Sequence, residues 1–167
     1  MAHFDIADLD RSGLSEAARD AMLDLILAWA HLDGMLSQWV AAKFGLAPDK
    51  TAILLGRSDA QSKLLKLQRL YAMEGADELV PTIRAIRKSY AKQVSPRNTV
   101  AHASCRGFLK SESDRIVFAA FEAVKLGELA IDTIPIEVME RSTRWANLLS
   151  ERVEKIINIL DPLPDQA

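Results

Sequence analysis

The sequence predicts a mainly α-helical protein: a bundle of four to five helices with one small β-hairpin inserted before the last helix. Three observations carry this. Met22, Leu25, Trp29, Leu32, Leu36 and Trp39 recur at alternating steps of three and four, the repeat of one helix face. Val138, Trp145, Leu149, Val153, Ile156 and Leu160 trace a second helical face near the far end. Between them, a span over about 105–121 reads as two extended runs flanking the polar turn Ser111-Glu112-Ser113-Asp114. With 49% hydrophobic and 26% charged residues among 167, the chain suffices for one folded domain over 15–165, preceded by an arm over 1–14.

Each element has its own punctuation. Residues 1–13 lack periodicity and are rich in Asp, so they read as an arm ordered against a partner, with His3 a surface histidine. Ser15 is placed to cap the first helix, with Glu16 and Asp20 at the positive end of its dipole. Running to near Gly45, that helix is long for a globular protein, so part of it is expected to pack beyond its own protomer. Ile26, Ala30 and Val40 widen its seam, and His31 reads as a surface or rim residue. Gly34 costs roughly 1 kcal/mol against alanine in a helix interior, which close approach of a neighbouring backbone would explain. Ala47-Pro48-Asp49-Lys50 reads as a loop, and 51–55 as a turn of helix ended by Gly56. Ser58 or Asp59 caps a helix through Met73, with Leu64, Leu67, Leu70 and Tyr71 inward and Lys63, Lys66 and Arg69 outward. Glu74-Gly75-Ala76-Asp77 ends it. The next helix turns Leu79, Ile83, Ile86, Tyr90 and Val94 to the core. An extended piece runs near 128–131. Thr133 and Pro135 then open the last helix, which Asp161-Pro162-Leu163-Pro164 stops.

The charge distribution is uneven. Residues 84–110 hold Arg84, Arg87, Lys88, Lys92, Arg97, Arg106 and Lys110 and no Asp or Glu. Taking these seven from a formal total of −2 leaves −9 on the rest of the chain. A cationic window in an acidic protein suits a phosphate-rich polymer. At its centre stands Ser95-Pro96-Arg97-Asn98-Thr99-Val100-Ala101-His102. Pro96 cannot continue the preceding helix cleanly. Two readings follow: a kink, or a new helix with Ser95 as N-cap and Pro96 at its first position. The second leaves free backbone N–H groups beside Arg97, a ready anion site.

Arg97-Asn98 followed by His102 resembles the signature of the HEPN superfamily: an arginine, a polar residue, a short spacer and a histidine. The resemblance implies a four-helix domain that cleaves RNA without metal, commonly with two protomers facing each other across a cleft. It implies catalytic roles for Arg97, Asn98 and His102. The residue types permit that chemistry. An imidazole, with an ordinary pKa of about 6.5, takes a proton from a ribose 2′-OH at neutral pH. The freed oxygen attacks the adjacent phosphate and leaves a cyclic phosphate end. Arg97 holds the phosphate and stabilises the charge that develops on it, and Asn98 orients the arginine or binds ribose or phosphate. Arg84, Arg87, Lys88, Lys92, Arg106 and Lys110 are expected to hold the RNA backbone. The resemblance also implies a homodimer and, for a toxin, an antitoxin partner, often a nucleotidyltransferase-like protein. The alternative is a catalytically inactive HEPN-like module that dimerises and binds RNA, nucleotide or a protein. Ser104 stands where some relatives carry a further basic residue.

Other chemistries lack their residues. There is no metal-ligand spacing, no CxxC pair and no phosphate-binding glycine loop, so no cofactor or metal is expected. Asp20 and Asp24 read as a solvated face, and Cys105, three positions after His102, as a small packing residue. Tyr90 and the other aromatics do not interleave with the basic residues, which argues against a base-stacking platform. One cysteine excludes an internal disulfide. With no signal-peptide pattern, and an apolar run over 22–32 that Asp24 interrupts, a cytoplasmic protein without a membrane span is expected.

Overall fold

A computed structural model describes residues 6–56, 58–120 and 130–160. The chain is mainly helical with a small antiparallel sheet. A 3-10 turn (Ile6–Asp8) and a short strand β1 (Leu9–Asp10) lead into α1 (Glu16–Phe44), α2 (Pro48–Leu55), α3 (Ala60–Met73), α4 (Leu79–Gln93) and α5 (Ser95–His102). Strands β2 (Ser104–Leu109), β3 (Arg115–Ala120) and β4 (Ala130–Pro135) precede α6 (Ile136–Leu160). Contacts divide the chain into two compact units: Met1–Trp29 with Val94–Trp145, and Ala30–Gln93 with Ala146–Ala167. Helices α1 and α6 each contribute a segment to both.

In the first unit, Ser15 caps α1 as expected, its Oγ accepting the Ala18 N–H at 3.2 Å. Ala18, Ala21, Leu25, Ala28 and Trp29 are buried. The Trp29 indole donates to Ser142 Oγ at 2.9 Å and its ring stacks on Trp145 at 5.5 Å. The first part of α6 departs from the expected face: Met139 and Ser142 are buried, whereas Val138 and Trp145 are only half-buried. A purely apolar reading skips Ser142, yet a serine is what lets the indole bring its N–H inside with a partner.

The sheet has the order β1-β2-β3-β4, every pair antiparallel. The expected hairpin is present, and Arg115 closes its turn through its backbone N–H to the Glu112 carbonyl and its Nε to the Glu112 carboxylate, both at 2.9 Å. Ile116, Val117, Phe118 and Ala119 of β3 are all buried, so both faces of that central strand are covered. Two expectations are corrected. Thr133 and Pro135 finish β4 rather than opening α6, because Ile134 and Thr133 pair with Ile116 and Val117 before the helix begins at Ile136. The N-terminal segment is ordered against its own chain: Leu9 and Asp10 pair with Leu109 and Phe108. Its fastening is polar. Lys110 donates to the Asp8 and Ala7 carbonyls at 2.8 and 2.9 Å, and Ser111 gives both its N–H and its hydroxyl to the Asp8 carboxylate. His3, Phe121, residues 128–129 and the 161–164 stop lie outside the described residues.

In the second unit, Leu32, Met35, Leu36, Trp39 and Val40 of α1 are buried, as are Leu64, Leu67 and Tyr71 of α3. Trp39 donates to the Tyr71 hydroxyl at 3.0 Å. Ile83 of α4 is buried, while Leu79, Ile86 and Tyr90 are half-buried. On α6 the expected Leu149 and Val153 are buried together with Ala146 and Ile157, whereas the expected Ile156 is half-buried and Leu160 exposed. Lys63, expected outward, is 2% exposed, and its ammonium meets the Asp33 carboxylate at 2.8 Å. Ala30 is exposed rather than widening the seam. Gly34 is exposed, and a Cβ there would meet nothing within 4 Å, so no described backbone of the chain approaches it. Helix α2 already starts at Pro48, whose missing N–H is harmless in a first turn.

Asp59 caps α3, its carboxylate accepting the Ser62 N–H at 2.8 Å and the Ser62 hydroxyl at 2.9 Å. These bonds, the backbone one first, hold its carboxyl below the usual carboxylate range. A folded pKa below the unfolded one adds stability above the ordinary carboxylate value, and that stability is lost as pH falls through the lowered value. Asp59→Ala is expected to cost about 1 kcal/mol at neutral pH. The difference from wild type should close on acidification; a gap unchanged in denaturant titrations at pH 7 and pH 2.5 would contradict this account.

Candidate functional site

Helix α5 carries all three motif residues. It restarts after Val94, which has helical dihedrals (φ −76°, ψ −18°) and no side-chain cap. The chain thus begins a new helix at Ser95, one residue earlier than the capping pattern suggested. The expected anion site is thinner as a result: Pro96 has no N–H, and the Asn98 N–H donates to the Val94 carbonyl at 3.0 Å. Arg97 is half-buried, while Asn98 and His102 are exposed. Arg97 Nη1 donates to Asn98 Oδ1 at 3.1 Å, so the asparagine restrains the guanidinium.

Helical periodicity then sorts the motif. At about 100° per residue, Asn98 and His102 share a stripe one turn apart, whereas Arg97 and His102 diverge by about 140°. Asn98 is the link, bonded to Arg97 and stacked one turn below His102 along the helix. On the neighbouring row, Thr99 Oγ1 donates to Asp132 Oδ2 of β4 at 3.3 Å. That contact ties α5 to the sheet and brings a carboxylate beside the acid-free sequence window. Asp132 escaped sequence reasoning; an exposed Asp in the middle of a β-rich run was the available signal.

The basic window is divided in space between the two units. Arg106 and Lys110 lie in the first with the motif. Arg106 occupies the bulge where β2 shifts register between Cys105 and Gly107, and the Lys110 ammonium is engaged by the Ala7 carbonyl. The other four belong to α4 in the second unit. Arg84, Lys88 and Lys92 are exposed at i, i+4 and i+8 and form one stripe. Arg87 turns instead to α3: it is half-buried, with Nη1 donating to Gln68 Oε1 at 3.0 Å and its carbonyl accepting from Gln61 at 3.2 Å.

Cys105, Asp20, Asp24 and His31 are exposed. Among the described residues, no three His, Cys, Asp or Glu side chains are grouped to hold a metal ion, and no helix is long and apolar enough to cross a membrane. An open cavity of about 370 Å³ in the first unit is lined by Leu14, Ser15, Phe108, Asp114, Ile116 and Ile136, among others, and by none of the motif residues. No protein-family model, curated protein or solved structure matches the chain.

Proposed function

We propose that the chain is an HEPN-like, metal-independent endoribonuclease in which His102 acts as general base and Arg97 binds the scissile phosphate. The observation that carries this reading is the Arg97–Asn98 hydrogen bond, set one helical turn from an exposed histidine. His102 takes the proton of a ribose 2′-OH; the oxygen attacks phosphorus, the bond to the 5′ oxygen breaks, and that oxygen leaves with a proton. Arg97, held by Asn98, meets the charge on the phosphoryl oxygens. Incubation with mixed cellular RNA tests it. Cleavage should survive EDTA, leave 2′,3′-cyclic phosphate ends and spare DNA, which lacks the attacking hydroxyl. Metal dependence or DNA cleavage would overturn it.

The same reading makes the protein a homodimer. The divergence of Arg97 and His102 on α5 supports a cleft in which one protomer supplies the arginine and its partner the histidine. Leu23 and Leu27, each 57% exposed and one turn apart on α1, are apolar surface available to a second copy. They also favour the second reading, an inactive HEPN-like module that binds RNA, nucleotide or a protein partner. In a toxin, the partner is an antitoxin of the nucleotidyltransferase-like kind, and the site of action is the cytoplasm.

RNA contact by the α4 stripe has its own expected result. Replacing Arg84, Lys88 and Lys92 together by Gln should flatten the log–log salt dependence of binding by about 2, from three contacts of about 0.7 each on a single strand. Arg87→Gln and Lys110→Gln should change the slope far less, since both groups are already bonded within the chain. Equal slopes for wild type and the triple variant would remove α4 from the RNA surface.

A further inference from the structure

Asp132 stands in an awkward place for a phosphate-binding protein. Its carboxylate is exposed and hydrogen-bonded to Thr99, and Thr99 precedes His102 by one turn on α5. Register places it firmly. Asp132 pairs with Phe118, and Phe118 pairs with Cys105, so the three side chains share one face of the sheet. Phe118 is fully buried, while Asp132 lies on β4 at the end of the strand order, where the face reaches solvent. Nothing in the strand calls for it. Aspartate is among the residues least suited to a β-strand. Thr99 lies about 60° around α5 from His102 and about 160° from Arg97, so this negative charge stands on the histidine's side of the helix, where it works against a phosphate.

A carboxylate only accepts hydrogen bonds, and its charge repels phosphate. What it suits beside an RNA strand is a group rich in donors. Single-stranded RNA supplies one in the pairing edge of an unstacked base. The four edges differ. Guanine sets N1–H and the N2 amino group side by side, two donors for one carboxylate. Adenine and cytosine each set one amino group beside an acceptor, and uracil sets one N–H between two acceptors.

We propose that Asp132, held by Thr99, reads the base next to the cleaved bond and selects guanine, with uracil disfavoured most. This rests on the ribonuclease reading for where the strand lies, but it concerns a residue outside the Arg97-Asn98…His102 motif. Thr99 engages one carboxylate oxygen, and the lone pairs left over accept from the base.

The test uses single-stranded oligoribonucleotides of one length, a uridine tract carrying G, A, C or U at one position, with wild type, Asp132→Ala and Asp132→Asn. Wild type should cut at the G position about 5- to 150-fold faster than at the U position, the span of one good bidentate base contact. In Asp132→Ala that ratio should collapse to about 2-fold or less. Asp132→Asn, which offers one acceptor and one donor, should shift the preference toward adenine or cytosine. A merely structural role for Asp132 would lower all rates together and leave the ratio intact, which would overturn the proposal, as would a wild type indifferent to the base. Binding of the same oligonucleotides to His102→Ala separates the two readings. Guanine-selective binding that a further Asp132→Ala abolishes, alongside a wild type that cuts nothing, would sink the nuclease and keep the base reader. Base-indifferent binding would sink the base reader whatever the cleavage result.

Discussion

His102→Ala should reduce RNA cleavage to background, a loss of at least about 100-fold, the lower end for removing a general base. The melting temperature should hardly move. His102 is exposed at the last position of α5 and packs no core, so the expected stability change is within about 0.5 kcal/mol. A histidine serving a structural role would give the opposite pair of results. Arg97→Ala should also be inactive, and the two dead proteins test the dimer. If each site takes its arginine from one protomer and its histidine from the other, half the dimers in an equal mixture are mixed, and each of these has one intact site of two. About a quarter of wild-type activity should then return after subunit exchange. Full activity in His102→Ala would remove the catalytic assignment. Persistent inactivity of a mixture shown to contain mixed dimers would place both residues' work in one chain.

The largest structural effect is expected at Gly107. Its φ of +127° lies where side chains are rarely tolerated, and a Cβ there would collide with the Asp10 carbonyl of β1. No flexible side chain can give way, because the opposing atoms are backbone. Gly107→Ala should therefore expel β1 from the sheet edge. The ladder from Leu9 and Asp10 to Leu109 and Phe108 would open, and the Asp8 bonds to Lys110 and Ser111 would open with it. Amide exchange at 9–10 and 108–111 should accelerate, with a stability loss of at least about 2 kcal/mol. Native protection of those amides in the variant would show that the strand admits a side chain.

These two positions mark what the linear sequence reveals and what it hides. The α1 seam was legible because Leu25, Trp29, Leu32, Leu36 and Trp39 are large and regularly spaced, and all are buried. The hairpin was legible for a similar reason, a polar turn between two strongly extended runs. Strand β1 was not: two residues are too few to show a period, and only the glycine in β2 hinted at a close neighbour. On α6 the middle of the expected face, Leu149 and Val153, is buried, but its ends differ, because the buried row also takes in the polar Ser142 and Ser150, Ser142 accepting from Trp29 and Ser150 donating to the Ala146 carbonyl of its own helix. At the site, Arg97, Asn98 and His102 were readable as a string, but their directions around α5 come from the helix. Asp132 comes from a strand 33 residues after Thr99, which no local pattern relates to it. Likewise the seven cations are neighbours in sequence, yet Arg87 and Lys110 are spent on partners within the chain.

The bond between Trp29 and Ser142 joins residues 113 apart. At a synthesis rate of about 5–20 residues per second, about 6–23 s pass between translation of the tryptophan and translation of its acceptor. In that interval the indole, buried in the finished fold, has neither its hydrogen-bond partner nor the stacked ring of Trp145. Helices α3 and α4, by contrast, are adjacent in the chain and can pair while translation continues. During birth on the ribosome, the first helix is thus the part of this protein that most needs shelter, although it is among the earliest made.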